Sequence, residues 1–94
     1  MYGLIGKVRA LPGKRAELLE VLKTGGGGMP GCVSYVIAED VSEADVLWVT
    51  EVWDSEEAHD ASIDIPKVRE AIEAGRPLIE AFEMHQRTRP VVAS

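Results

Sequence analysis

The stretch from Val46 to Ser62, VLWVTEVWDSEEAHDAS, constrains the fold of this chain more than any other segment. Its first part is a strand without a polar face: Val46, Leu47, Trp48, Val49, Val52 and Trp53 place apolar groups on both sides. Such a strand needs cover front and back, whereas a strand wetted on one side alternates cleanly. It then feeds a helix with no loop between. Asp54 or Ser55 supplies the N-cap, and Glu57 lies three residues beyond Asp54, the spacing of a capping box. Glu51 and Trp53 share one face because strand side chains alternate. His59 follows within the first two helical turns. A carboxylate, an indole and an imidazole therefore meet where a strand turns into a helix, and that corner is the first place to seek a small-molecule site.

The rest of the chain supplies the partners. Tyr2 to Ala10 reads as a strand, with Tyr2, Leu4, Gly6, Val8 and Ala10 on one face and Ile5, Lys7 and Arg9 on the other. Pro12-Gly13 breaks it. Lys14 to Lys23 carries Arg15, Leu18, Leu19 and Leu22 on one helical stripe, and Gly25 is expected to end that helix in the left-handed conformation. Pro30-Gly31 marks a turn. Cys32 to Glu39 is a second strand, with Val33, Tyr35 and Ile37 on one side, and a short polar loop joins it to Val46–Trp53 as an antiparallel hairpin. Asp54 to about Ile63 is helical. Pro66 starts a further helical segment at its first position, with Val68, Ala71 and Ile72 as its stripe and Gly75 at its end. Leu78 to about Thr88 is the last strand.

The order strand, helix, strand, strand, broken helix, strand is the ferredoxin-like split βαβ arrangement of an α+β domain. It predicts one domain over residues 1–94: a four-stranded antiparallel sheet with its helices on one face. That leaves the second face of the sheet bare, although the third strand is apolar there too. Large exposed apolar patches mark association sites. The expected remedy is a homodimer packed sheet to sheet about a two-fold axis; the competing remedy is that the tail Pro90–Ala93 folds over the same face.

Composition narrows the function. A net charge of −6 argues against nucleic-acid binding, which needs a basic footprint, and against an anionic membrane surface. No apolar run approaches the roughly 18 residues of a membrane span. The single cysteine, Cys32, forms no internal disulfide, and with no signal-like N-terminus the chain reads as cytoplasmic. Two histidines and one cysteine show no metal-ligand spacing. The glycines at 25–28 lack the Lys-Ser/Thr of a phosphate loop. No cofactor and no metal are expected.

The segments PGCVSY at Pro30–Tyr35 and EVWDSEEAHDAS at Glu51–Ser62 resemble the antibiotic biosynthesis monooxygenase family, and the resemblance spans nearly the whole chain. It implies a small dimeric ferredoxin-like protein of the dimeric α+β barrel type. Related members oxidise quinols or anthrone-like polyketides with dioxygen and no cofactor, others degrade haem, and others have no established activity. Glu51 and Trp53 match the family's strand-three pair. Many members carry a His about nine residues after that Trp; this chain has Ser62 there and His59 one turn earlier. Haem-degrading relatives use an Asn on the first strand, and this chain has no Asn, which turns the expectation away from haem.

Cofactor-free oxygenation needs a base, a means of stabilising a substrate anion, and exclusion of water. His59, whose ordinary pKa suits a base near neutrality, and Trp53, able to stack on a flat ring, are the candidate catalytic residues. Glu51, Tyr35 and Ser62 are the candidate substrate-binding residues. Each has a plainer reading. His59 is a solvated member of an acidic turn beside Glu56, Glu57 and Asp60; Trp53 is core; Glu51 is a structural carboxylate paired with Arg9, Arg76 or Arg87; Tyr35 packs across strands. Cys32 reads as a small apolar filler and His85 as an exposed or interfacial residue. The function expected is a monooxygenase of a small aromatic, quinol-like compound; the alternative is a non-catalytic dimeric module of the same fold that binds a small ligand or a protein.

Overall fold

The computed structural model describes residues 1–94 and has eight elements in order: β1 (Tyr2–Ala10), α1 (Arg15–Gly25), β2 (Cys32–Glu39), β3 (Val46–Trp53), α2 (Glu56–Ser62), α3 (Pro66–Gly75), a 3-10 turn (Arg76–Leu78) and β4 (Ile79–Thr88). The strands form one antiparallel sheet in the order β2-β3-β1-β4. This is the ferredoxin-like α+β topology that the element order implies.

The helices cover the face that carries Leu4, Val8 and Ala10 of β1 and Leu47 and Val49 of β3. Val8, Ala10, Leu18 and Leu47 form the centre of the core, with Leu19, Leu22, Ile37, Leu78 and Ile79 packed around it. Arg15 is not part of the apolar stripe of α1. Its guanidinium donates to the carbonyls of Asp40 and Glu43 and pairs with Glu39, so it ties the start of α1 to the β2–β3 hairpin.

Gly25 is the last residue of α1 and has no positive φ; the left-handed residues are Gly27 and Gly28. What Gly25 supplies is closeness. A Cβ there would lie 2.7 Å from the Cβ of Ala71 on α3, so only glycine lets the two helices meet. Gly31 is constrained twice, with φ at +79° and a would-be Cβ 2.6 Å from that of Ala58. Any other residue would strain the backbone and push α2 off the sheet. The carbonyl of Gly31 accepts the Asp54 amide at 2.8 Å, which pins the end of β3 to the start of β2. Ser55 is the N-cap of α2, its hydroxyl accepting from Ala58 N at 3.1 Å. The third helical position is thus Ala58, and no Glu57 capping box forms.

The open face of the sheet is mixed rather than uniformly apolar. Val36 is 51% exposed there, and Ile5, Trp48 and Val52 are half-buried. Across it runs an ion-pair cluster in which Lys7 and Arg9 each contact both Glu43 and Glu83. The tail reaches this face only at its edge, where half-buried Pro90 lies against Gly3; Val91 and Val92 are almost fully exposed. Val33 also departs from its expected place. A register shift between Cys32 and Ser34 leaves it half-exposed while Tyr35 and Ile37 pack on the helix side.

Candidate active site

Between the helices and the sheet lies a cavity of about 710 Å³. Its floor is Leu4, Gly6 and Val8 of β1 with Val49 and Glu51 of β3; α3 and the end of α1 roof it. Tyr35, Glu51, Trp53, His59 and Ser62 all line it, so the fold brings the five sequence-named candidates into one chamber. Strand register explains part of this. Tyr35 is opposite Glu51 across β2–β3, Leu4 is opposite Glu51 across β1–β3, and Tyr2 is opposite Trp53.

Trp53 is 1% exposed, and only a sliver of its ring reaches the cavity. It is a wall and a core residue, with little surface for stacking. Its indole Nε1 donates to Glu51 Oε1 at 2.9 Å. This is the only hydrogen bond the Glu51 side chain makes, and no cation pairs with it. The arginines expected as partners are elsewhere: Arg9 binds Glu43 and Glu83, Arg87 binds Glu56 at 2.8 Å, and Arg76 sits exposed at the cavity rim without an ion pair. Glu51 Oε2 therefore stays available, reached from the half-open cavity.

His59 is not a solvated residue of an acidic turn. Its side chain is only 20% exposed and packs edge-on to Trp53 at 5.6 Å and against the Tyr2 ring at 5.4 Å. Nδ1 contacts Asp60 Oδ1 at 3.1 Å. Ser62 is buried and its hydroxyl donates to the His59 carbonyl at 2.6 Å, which leaves it acceptor capacity alone. Burial, reinforced by Glu51, pushes the Tyr35 phenol up to about 12, so it remains a proton-bearing donor throughout the physiological range. Burial also raises the Cys32 thiol above its ordinary range, which disfavours the thiolate that a nucleophile needs. No three His, Cys, Asp or Glu side chains gather as a metal-ligating set.

The residues that sequence reasoning missed lie on β4 and the turn before it. Ile79, Ala81, Phe82 and His85 form the outer wall, with Phe82 67% exposed at the mouth. Their alternation is broken by register shifts between β1 and β4, so no period-two pattern marks them. Met29, buried at the end of the glycine loop, was missed for the same want of periodicity.

The family model for antibiotic biosynthesis monooxygenase matches residues 1–74. The chain belongs to that family. A candidate antibiotic biosynthesis monooxygenase from Chloroflexus aurantiacus J-10-fl is 53% identical, with 99% of this chain and 95% of that one covered and a TM-score of 0.96. A Deinococcus radiodurans protein of the same description is 25% identical over 100% of this chain and 96% of its own, with a TM-score of 0.77. One from Nitrosomonas europaea is 10% identical, covers 98% of this chain and 100% of its own, and has a TM-score of 0.89, a likeness of fold alone. No curated protein matches the chain. For this member of the antibiotic biosynthesis monooxygenase family, the matched segment holds the Glu51–Ser62 corner, while the β4 wall of the cavity lies beyond it. No helix is long and apolar enough to cross a membrane.

Proposed function

We propose that this protein is a cofactor-free monooxygenase of a small, flat, hydroxylated aromatic compound of the quinol or anthrone type, bound in the cavity between sheet and helices. One observation carries the reading: a largely apolar chamber of about 710 Å³ has Tyr35, Glu51, His59 and Ser62 together at one corner, while its other polar lining, Arg76, Glu80 and His85, is exposed on the side toward β4. Ligand sites have this build, an apolar lining with a few convergent polar groups. The volume suits a compound of two or three fused rings.

The chemistry is self-contained. A base at the corner takes the proton of a substrate hydroxyl, and the electron-rich anion reduces dioxygen. For a quinol, one oxygen atom enters the ring and the other leaves as water. The four electrons come from the substrate, two as quinol becomes quinone and two as a ring C–H becomes C–O. The product is a hydroxyquinone. The apolar walls hold water away from the anion and strengthen every polar contact made to it.

The test is oxygen uptake with a naphthoquinol or anthrone, corrected for autoxidation. One dioxygen consumed per substrate, with a hydroxyquinone or quinone product, is the expected result. Tight binding of the ring compound with no uptake above background would instead favour the non-catalytic binding module. The reading extends to a two-fold dimer joined through the open sheet face, supported by exposed Val36 and half-buried Trp48. Sedimentation at micromolar concentration giving a folded single-chain species would rule the dimer out.

A further inference from the structure

We infer that Glu51 and Tyr35 form one hydroxyl-recognition subsite, with Glu51 Oε2 accepting the hydrogen of a neutral phenolic substrate and the Tyr35 hydroxyl donating to an oxygen of the same ring system. The inference deepens the function proposed above and takes its substrate class from that reading. It reassigns the proton-accepting role, which the sequence places on His59, to the carboxylate.

Four observations support it. Glu51 and Tyr35 are register partners on adjacent strands, and their side chains stand on the same face of the sheet. Both line the cavity. Each has unused hydrogen-bonding capacity: Glu51 is held only at Oε1, and the Tyr35 hydroxyl has no partner within the chain. Finally, their chemistry is complementary, since an ionised carboxylate only accepts and a protonated phenol donates.

Trp53 is the positioning residue. By occupying Oε1 from below at 2.9 Å it fixes which oxygen of Glu51 is presented. His59 is less well placed for the same work. One ring nitrogen is engaged with Asp60, and the ring is packed between Tyr2 and Trp53 as part of the wall.

The subsite also selects by charge. Glu51 is the half-buried charge that lines the chamber; Glu80 and the only permanent cation of the lining, Arg76, are both exposed and offset each other at the rim. A half-buried carboxylate in an apolar chamber disfavours a substrate that arrives as an anion. A neutral hydroxyl is different: its hydrogen satisfies Glu51 on binding, and in turnover the proton moves from the substrate oxygen to Oε2, leaving the electron pair on the substrate. A methyl ether of the same ring offers no hydrogen, and it strands the carboxylate against apolar carbon.

The experiment is titration calorimetry under nitrogen with 1-naphthol and 1-methoxynaphthalene as probes, run on wild type, Glu51→Gln and Tyr35→Phe. Wild type should prefer the naphthol by about tenfold or more, the scale of a hydrogen bond to a charged acceptor. Glu51→Gln keeps an amide oxygen for the Trp53 indole and turns its NH₂ toward the cavity, so the preference should fall to about one or two. Tyr35→Phe should weaken both probes alike and keep the ratio, because ether and hydroxyl oxygens both accept. Equal affinity of wild type for the two probes, no binding of either, or an unchanged ratio in Glu51→Gln would overturn the inference. Should Glu51→Gln fail to fold, the wild-type ratio and Tyr35→Phe still decide it. Oxygen uptake is scored separately: a protein that discriminates the probes but oxidises no quinol loses the proposed function and keeps the subsite, while one that oxidises quinols with an unaltered Glu51→Gln loses the subsite and keeps the function.

Discussion

The sheet carries two indole–carboxylate pairs, one on each side, and they are built to opposite ends. At the hairpin beside the open face, Asp40 Oδ2 accepts Trp48 Nε1 at 2.8 Å, while Oδ1 accepts the amides of Ser42 and Glu43, each at 2.8 Å. Three donors engage both its oxygens and hold its carboxyl well below the usual range, at about 2, with the Trp48 indole the largest cause. In the cavity, Glu51 takes a single donor from Trp53 and leaves one oxygen open. A carboxylate with both oxygens engaged by its own chain is a structural tie. One left short in an apolar chamber has capacity that only a ligand or water can use. Counting donors, rather than the presence of an aromatic–acid pair, separates the two roles.

The largest break in that comparison comes from truncating the two indoles. Trp53→Ala removes a ring that is 1% exposed, and it should cost about 3–5 kcal/mol. That is much of the stability of a domain this small. Trp48 is half-buried on the open face with Lys7 over its ring at 5.6 Å, so Trp48→Ala should cost clearly less. Denaturant midpoints measure both. Equal losses would show that the cavity-side indole is not the deeper structural member.

A smaller effect tests the carboxylates themselves. The carboxyl of Asp40 is depressed from 3.8 to about 2 in the folded chain, so its stabilising contribution is complete above about pH 4 and fades as pH falls through about 2. Asp40→Asn should therefore lower the thermal midpoint near neutrality, and the gap from wild type should close as the solution is acidified across that window. Glu51→Gln should shift stability by less than about 0.5 kcal/mol at neutral pH, since it keeps an acceptor for the indole. A Glu51 variant as damaging as Asp40→Asn would mark Glu51 as a second structural tie.

Most of the fold was legible in the sequence because it is set by local chemistry. Strand β1 follows from a period-two pattern ended by Pro12-Gly13, β2 and β3 follow from apolar runs bounded by Pro30-Gly31 and the polar loop between them, and Pro66 marks the start of α3. The corner of the site was legible for the same reason: Glu51, Trp53 and His59 are close in sequence, and alternation puts the first two on one face. What could not be read was anything decided by non-local partners. The choice of Trp53 over an arginine as the partner of Glu51 depends on where Arg9 and Arg87 find other acids. The role of Gly25 depends on how closely α3 approaches. The β4 wall depends on register shifts that erase its pattern. The polar content of the open face was also missed, because the Lys7–Arg9–Glu43–Glu83 cluster joins residues from β1, the hairpin and β4.

The finest probe of the contrast is the titration of Tyr35. Its phenol is raised from 10 to about 12, first by burial and then by the charge of Glu51 across the strand pair. Raising the folded value above the unfolded one means the protonated phenol favours the native state, so that contribution is whole below about pH 10 and is lost as pH climbs toward 12. Ultraviolet phenolate absorbance should show a late step, absent in Tyr35→Phe. Glu51→Gln removes the second cause but not the first, so the step should move to lower pH without reaching the ordinary value. An unmoved step would mean that the charge of Glu51 does not reach Tyr35, and the two would no longer qualify as one subsite. Asp40→Asn supplies the contrast, because Asp40 is not among the groups that shift Tyr35 and its loss should leave the step in place.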